Sequence, residues 1–211
     1  METNHQVHAS NHQASGRLAA IILAAGMSRR MGQPKMLLPW GKKTVLEQVI
    51  TTLATSGIEE LIIVTGAARQ AVEAEAARLG QRWPIQTIFN PQYETGEMMS
   101  SIRLGLAALG PHINATLIAP GDQPQLSLQA AQNIVSAWKT SGARLIVPSF
   151  ERRRGHPWVI GRDLWSKLSE ANTARAFLSA HADEIQYVEC DATVLQDLDT
   201  PEEYAQGLKN I

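Results

Sequence analysis

Residues Leu18 to Lys35 read LAAIILAAGMSRRMGQPK, and this stretch sets the class of fold. Its first six residues, Leu18–Leu23, form a continuous apolar run with no polar alternation. A strand reads this way when both of its faces are covered, as in a parallel sheet between helices. The residues that follow, Ala24, Ala25 and Gly26, are small enough for a ligand to approach the backbone closely. Gly32 adds a second point of freedom, and Arg30 and Lys35 place positive charge beside the loop. Exposed backbone N–H groups together with two cations make a cradle for a triphosphate.

Working outward, Leu61–Thr65, Ile85–Phe89, Thr116–Ala119, Leu145–Val147 and Ile185–Val188 read as further strands of the same continuous kind. Between them, Val45, Leu46, Val49, Ile50 and Leu53 repeat with helical spacing, as do Leu128, Ala131, Val135 and Trp138. Thr200, Pro201 and Glu203 predict a helix start with a capping box. Strands alternating with helices imply an α/β fold, a doubly wound and mostly parallel sheet. No repeat or linker divides the chain, so one domain is expected over residues 17–211. Ligands of such sheets bind beyond the carboxyl ends of the strands.

The composition is that of a soluble globular protein, with 44% hydrophobic and 18% charged residues. A net charge of −1 gives no electrostatic case for nucleic-acid or membrane partners. No apolar run reaches the length of a membrane span. The single cysteine, Cys190, cannot form an internal disulfide, which agrees with a cytoplasmic location. The first 16 residues are polar and lack a signal peptide's apolar core, so a disordered tail is expected. His5, His8 and His12 in that tail match no folded metal-site spacing.

Two common phosphate loops are excluded. A dinucleotide fingerprint needs three glycines, and this loop has only Gly26 and Gly32. Gly41-Lys42-Lys43-Thr44 fails as a P-loop, because it lacks the earlier glycine and puts Lys43 at the hydroxyl position. LAAGMSRRMGQPK instead resembles the L-A-[AG]-G-x-S-x-R-M-G-x-x-K signature of nucleotidyltransferases that activate sugars, isoprenoid precursors and the molybdenum cofactor. Within that group it looks most like the MobA-like and MocA-like enzymes, the molybdenum cofactor cytidylyltransferases. The resemblance runs through almost the whole chain after the tail and implies a Rossmann-like fold. It also implies that Leu23, Ala24, Ala25, Gly26, Ser28, Arg30 and Lys35 hold the nucleotide.

Later motifs fall in the family's order. Asp122, in Pro120-Gly121-Asp122-Gln123-Pro124, follows a strand, so its carboxylate points into the crevice. Magnesium takes oxygen ligands and few carboxylates, which suits Asp122 as a ligand. Asp197 and Asp199 alternate around Leu198 and point the same way from an extended segment. The resemblance implies that Asp199 is the second metal ligand; for Asp197 a metal role and a helix-dipole role stay open. Asn90-Pro91 and Gly96 to Leu106 resemble an element that contacts the nucleobase, which implicates Asn90 and Ser101. Gly96 and Glu97 stand in the reverse of the family's usual order, and Met99 replaces a serine. Arg152, Arg153 and Arg154 next to Gly155-His156-Pro157 make a basic edge suited to an anion. In the resembling enzymes Arg-Gly-His-Pro borders the acceptor pocket, which assigns Arg154, Gly155 and His156 to the acceptor.

These parts predict magnesium-dependent transfer of CMP from CTP to the phosphate of a molybdopterin-type cofactor, with Arg30, Lys35 and Asp122 catalytic. A phosphate monoester is already an anion near neutral pH, so no general base is needed. Ala25, where guanylyltransferases tend to carry glycine, favours CTP over GTP. The other readings are a GTP-using or other small-acceptor nucleotidyltransferase, and a non-catalytic carrier that hands the cofactor to a recipient molybdoenzyme.

Overall fold

The structure is a computed structural model that describes residues 16–210. The tail expected over residues 1–16 lies, apart from Gly16, outside the described residues. In chain order the elements begin with β1 (Arg17–Ala24), β2 (Pro39–Trp40), β3 (Lys43–Thr44), α1 (Val45–Thr55), β4 (Glu60–Thr65) and α2 (Arg69–Leu79). They continue with β5 (Ile85–Phe89), α3 (Met98–Ala108), β6 (Ile113–Pro120), α4 (Leu128–Ser141), β7 (Leu145–Phe150) and β8 (Arg153–Arg154). The last are β9 (Trp158–Gly161), α5 (Trp165–Glu170), α6 (Ala174–Ala180), β10 (Ile185–Glu189) and α7 (Pro201–Leu208).

An eight-stranded sheet runs β10-β7-β9-β6-β1-β4-β5, with β8 paired to β7. β1 lies parallel between β4 and β6, with Ile21 opposite Ile62 on one side and Ile118 on the other. All six expected strands are present and mutually parallel where they pair. The short β8 and β9, which lie outside the expected strands although Trp158, Val159 and Ile160 form an apolar run, are antiparallel insertions.

Side-chain alternation along β1 explains why its sequence is apolar throughout. Leu18, Ala20 and Ile22 pack under α1, α2 and α4 in one core, with Leu46, Ile50, Val72 and Ile134. Ala19 and Ile21 pack on the other face with Ile102 of α3, Leu168 of α5 and Phe177 of α6. Each fully buried Leu or Ile contributes about 1.5–3 kcal/mol. Gly105 lets α3 close onto β1, since a Cβ there would stand 2.5 Å from Ile21 Cγ2.

Polar side chains start the helices where local chemistry places them. Thr44 accepts from Glu47 N–H at α1, and Ser127 accepts from Ala130 N–H at α4. Thr200 and Glu203 form the expected capping box at α7, with Pro201 in the first turn. Among the described residues no helix is long and apolar enough to cross a membrane.

Candidate active site

After β1 the chain turns to α1 and β4 on one side, whereas β6 lies on the other side. The crevice opens at this topological switch point, above the carboxyl ends of β1 and β6. A cavity of about 360 Å³ there is lined by Leu23, Ala25 and Gly26 of the loop after β1. Lys35, Asp122, Asp197 and Asp199 line it as well, and Asn90 and Ser101 close its far side. Nothing lies within 4 Å of where a Cβ at Gly26 would stand. The fold itself therefore leaves that position open, as a close-approaching ligand requires.

The loop is held from behind. Gly66, after β4, sits so close that a Cβ would stand 2.3 Å from the Ala25 carbonyl oxygen. Ser28 adopts a left-handed conformation with φ of 50°, which is costly for a residue other than glycine. Its hydroxyl accepts from Lys35 N–H at 3.1 Å, and this fixes where the lysine leaves the backbone. Ala24 faces the helix-covered core rather than the crevice. Strand alternation turns it away, so its expected contact with nucleotide reduces to giving the backbone room.

Lys35 Nζ donates to both Asp122 Oδ2 and Asp199 Oδ1, the second at 3.0 Å. Arg30 Nη2 donates to the other oxygen of Asp199 at 2.7 Å, although its own side chain is largely exposed. Burial works against the charge on Lys35, yet the two carboxylates outweigh it and raise its pKa. Burial likewise opposes the charge on Asp199, but Lys35 and Arg30 hold its carboxyl below the usual carboxylate range. Asp197 moves the other way. Burial raises it, the hydrogen bond from Gln123 opposes that, and the charges of Asp122 and Asp199 add to the rise.

Backbone contacts lock the two acidic loops together. Gly121 N–H donates to the Leu23 carbonyl, and Leu198 N–H donates to the Asp122 carbonyl. Leu198 is fully buried with Met31, Leu38, Trp40 and Val45, so Asp197 and Asp199 on either side turn towards the crevice. Glu203 of the capping box accepts from both Thr200 and Asp199 N–H groups. Among the described residues no three metal-ligating side chains gather at one point. The pair Asp122 and Asp199 could hold a divalent cation that draws the rest of its shell from water and phosphate.

Asn90 is buried, and its amide donates to Ser100 and Ser101 hydroxyls at 2.9 and 3.0 Å. Its oxygen accepts from Gln92 N–H, so the side chain braces the rim of the cavity.

A second cavity, of about 780 Å³, shares Glu97, Met98 and His156 with the first. Its walls carry Arg152, Arg153, Arg154 and Arg175, and its apolar floor includes Trp158 and Leu178. Burial pushes the His156 imidazole down to about 4, so it is uncharged at neutral pH, stacked 4.5 Å from Trp158. Arg154 donates to Tyr187 Oη at 2.8 Å. Gly155 does not line the cavity as expected of an acceptor contact. A Cβ there would stand 2.4 Å from the Val194 carbonyl oxygen, so packing demands the glycine. Gly66, Trp158 and Arg175 carry no motif, and nothing in the sequence marks them for this site.

Residues 20–200 match the family described as the MobA-like NTP transferase domain. A nicotine blue oxidoreductase of Paenarthrobacter nicotinovorans is 33% identical, over 88% of this chain and 94% of that protein. The molybdenum cofactor cytidylyltransferase of Escherichia coli K12 is 28% identical, over 87% and 92%. Among solved structures, Rv0371c of Mycobacterium tuberculosis H37Rv superposes with a TM-score of 0.78 at 26% identity, covering 92% of this chain and 98% of that one. With a triphosphate-type loop, a paired carboxylate centre and this match over most of its length, the chain is a nucleotidyltransferase that belongs to the MobA-like NTP transferase domain family.

Proposed function

We propose that the enzyme transfers CMP from CTP to the phosphate of a molybdopterin-type acceptor and releases pyrophosphate. One observation carries the reading: the Lys35–Asp122–Asp199 centre stands in a cavity that shares Glu97, Met98 and His156 with an arginine-walled one. The nucleotide then lies along the Gly26 loop and the acceptor lies against the arginines. Their phosphates meet at the shared rim of Glu97, Met98 and His156. The activity named for the Escherichia coli relative supports the same choice.

Nucleotidyl transfer needs alignment and charge neutralisation more than covalent catalysis. Asp122 and Asp199 would hold a magnesium ion, which would supply charge neutralisation at the α-phosphate. Lys35 and Arg30 turn from the carboxylates to the phosphates and neutralise the leaving pyrophosphate. The acceptor phosphate attacks in line as an anion, so His156 positions it without moving a proton. The Ala25 side chain narrows the loop against a purine edge, which favours CTP. The product passes to a recipient molybdoenzyme. Pyrophosphate release measured with CTP and with GTP, given a molybdopterin acceptor, tests the reading. Faster turnover with GTP overturns the base choice, and no release with either nucleotide overturns the reaction.

A further inference from the structure

Transfer in line fixes where the reacting phosphate lies, and the acceptor cavity holds more positive charge than that phosphate uses. The rim shared by the two cavities carries one carboxylate, one methionine and the uncharged His156, and no cation. Arg152, Arg153 and Arg175 line only the acceptor cavity. Among the described residues none of the three forms a salt bridge. Glu97 is the one carboxylate among the residues that line this cavity, and Glu189 of β10 is engaged by other donors. Glu189 accepts from the Ser149 hydroxyl at 3.0 Å and from Glu151 N–H at 3.3 Å.

The cations arrive from separate elements. Arg152 sits at the tip between β7 and β8, where Glu151 and Arg152 both take left-handed conformations, with φ of 49° and 63°. Glycine would relieve that strain, so side chains are kept there at an energetic cost. Arg175 comes from α6, whose Ala174, Phe177 and Leu178 are buried in the core. Four arginines against the one carboxylate of Glu97 leave the lining of this cavity net positive, and an anionic ligand relieves that surplus. Between them lies the apolar floor of Trp158, Met99 and Leu178, suited to a flat ring.

We infer that Arg152 and Arg175 bind a second anionic group of the acceptor, distinct from the phosphate that receives CMP. The substrate class is a phosphomonoester with a flat ring body and a further negative group. This rests on the proposed function for the position of the reacting phosphate, but the anion subsite is testable without turnover.

Pterin-6-carboxylate and pterin are titrated against the full-length protein and followed by tryptophan and pterin fluorescence. Naphthalene-2-carboxylate and naphthalene-2-methanol form a second pair. Wild type is expected to bind the anionic member of each pair roughly tenfold more tightly, as for a charge-assisted hydrogen bond. Arg175→Gln and Arg152→Gln are each expected to reduce that preference to about twofold, with CTP binding unchanged. If the pterins fail to bind but the naphthalene pair keeps its arginine-dependent preference, the subsite stands and the pterin acceptor is wrong. If no anionic ring is preferred, or both variants keep the full preference, the inference is overturned.

Discussion

The nucleotide cavity and the acceptor cavity share a wall but hold their charge in opposite ways. In the first, charged groups meet one another: Lys35 bridges Asp122 and Asp199, and Arg30 closes onto Asp199. In the second, Arg152, Arg153 and Arg175 form no salt bridge among the described residues, and Glu97 is the one carboxylate in the lining of a largely apolar floor. A paired centre keeps its geometry before the ligand arrives, and the ligand must exchange partners with it. An unpaired wall waits for the ligand to bring the missing charge. The difference teaches that the two halves of the proposed reaction would be prepared differently, one by preorganised pairing and one by unsatisfied attraction.

The comparison breaks most readily at its centre. Asp122→Ala is expected to lower turnover by about a thousandfold, because a metal site is worth several kcal/mol at the transition state. Its thermal midpoint should stay close to wild type, and near-normal turnover at saturating magnesium would sink the paired-centre account. Lys35→Met should also lower turnover, by roughly a hundredfold. It carries a second, opposite expectation. With the ammonium gone from between the carboxylates, manganese alone should bind roughly tenfold more tightly, a gain of about 1.4 kcal/mol. Calorimetry without nucleotide reads this directly, and weaker metal binding in the variant would show that the lysine does not compete for the site.

Acid should separate the rim from the centre. His156 titrates at about 4 in the fold against 6.5 when unfolded, so the unfolded chain binds more protons between those values. Stability is therefore expected to fall as the pH drops from 6.5 towards 4, by on the order of 3 kcal/mol at the limit. His156→Gln should remove that slope in denaturant titrations at several pH values. Asp199 is held below its ordinary value of 3.8, so the Lys35–Asp199 pair should outlast this loss and yield only at lower pH. The smallest effect is expected from Glu203→Gln, which weakens the grip on Asp199 N–H and the cap of α7. About 1 kcal/mol, or a midpoint lower by 2–4 °C, should accompany a loss of turnover below tenfold.

Much of the site was legible because its residues follow strands or flank a helix start. Gly26, Lys35, Asp122 and Asp199 each sit at such a boundary, where the chain must reach the crevice. Asp197 and Asp199 alternate around buried Leu198, and the sequence pattern gave their shared direction. Asn90 and Ser101 were readable only through the family's motif. Their mutual hydrogen bond joins residues of different elements and has no local signature. Arg175 had none either, since an arginine on a seven-residue helix resembles any solvated one.

By itself the sequence determined the parallel core, the position of the small-residue loop after β1 and the start of the last helix. Continuous apolar runs, small loop residues and a capping box act over a few neighbouring residues, so they can be read in order. The antiparallel insertion of β8 and β9, the bridging of Lys35 between two carboxylates and the gathering of arginines from β7–β8 and α6 were decided only by tertiary structure. Each depends on which distant segments become neighbours, and that follows from packing both faces of the sheet rather than from any local preference.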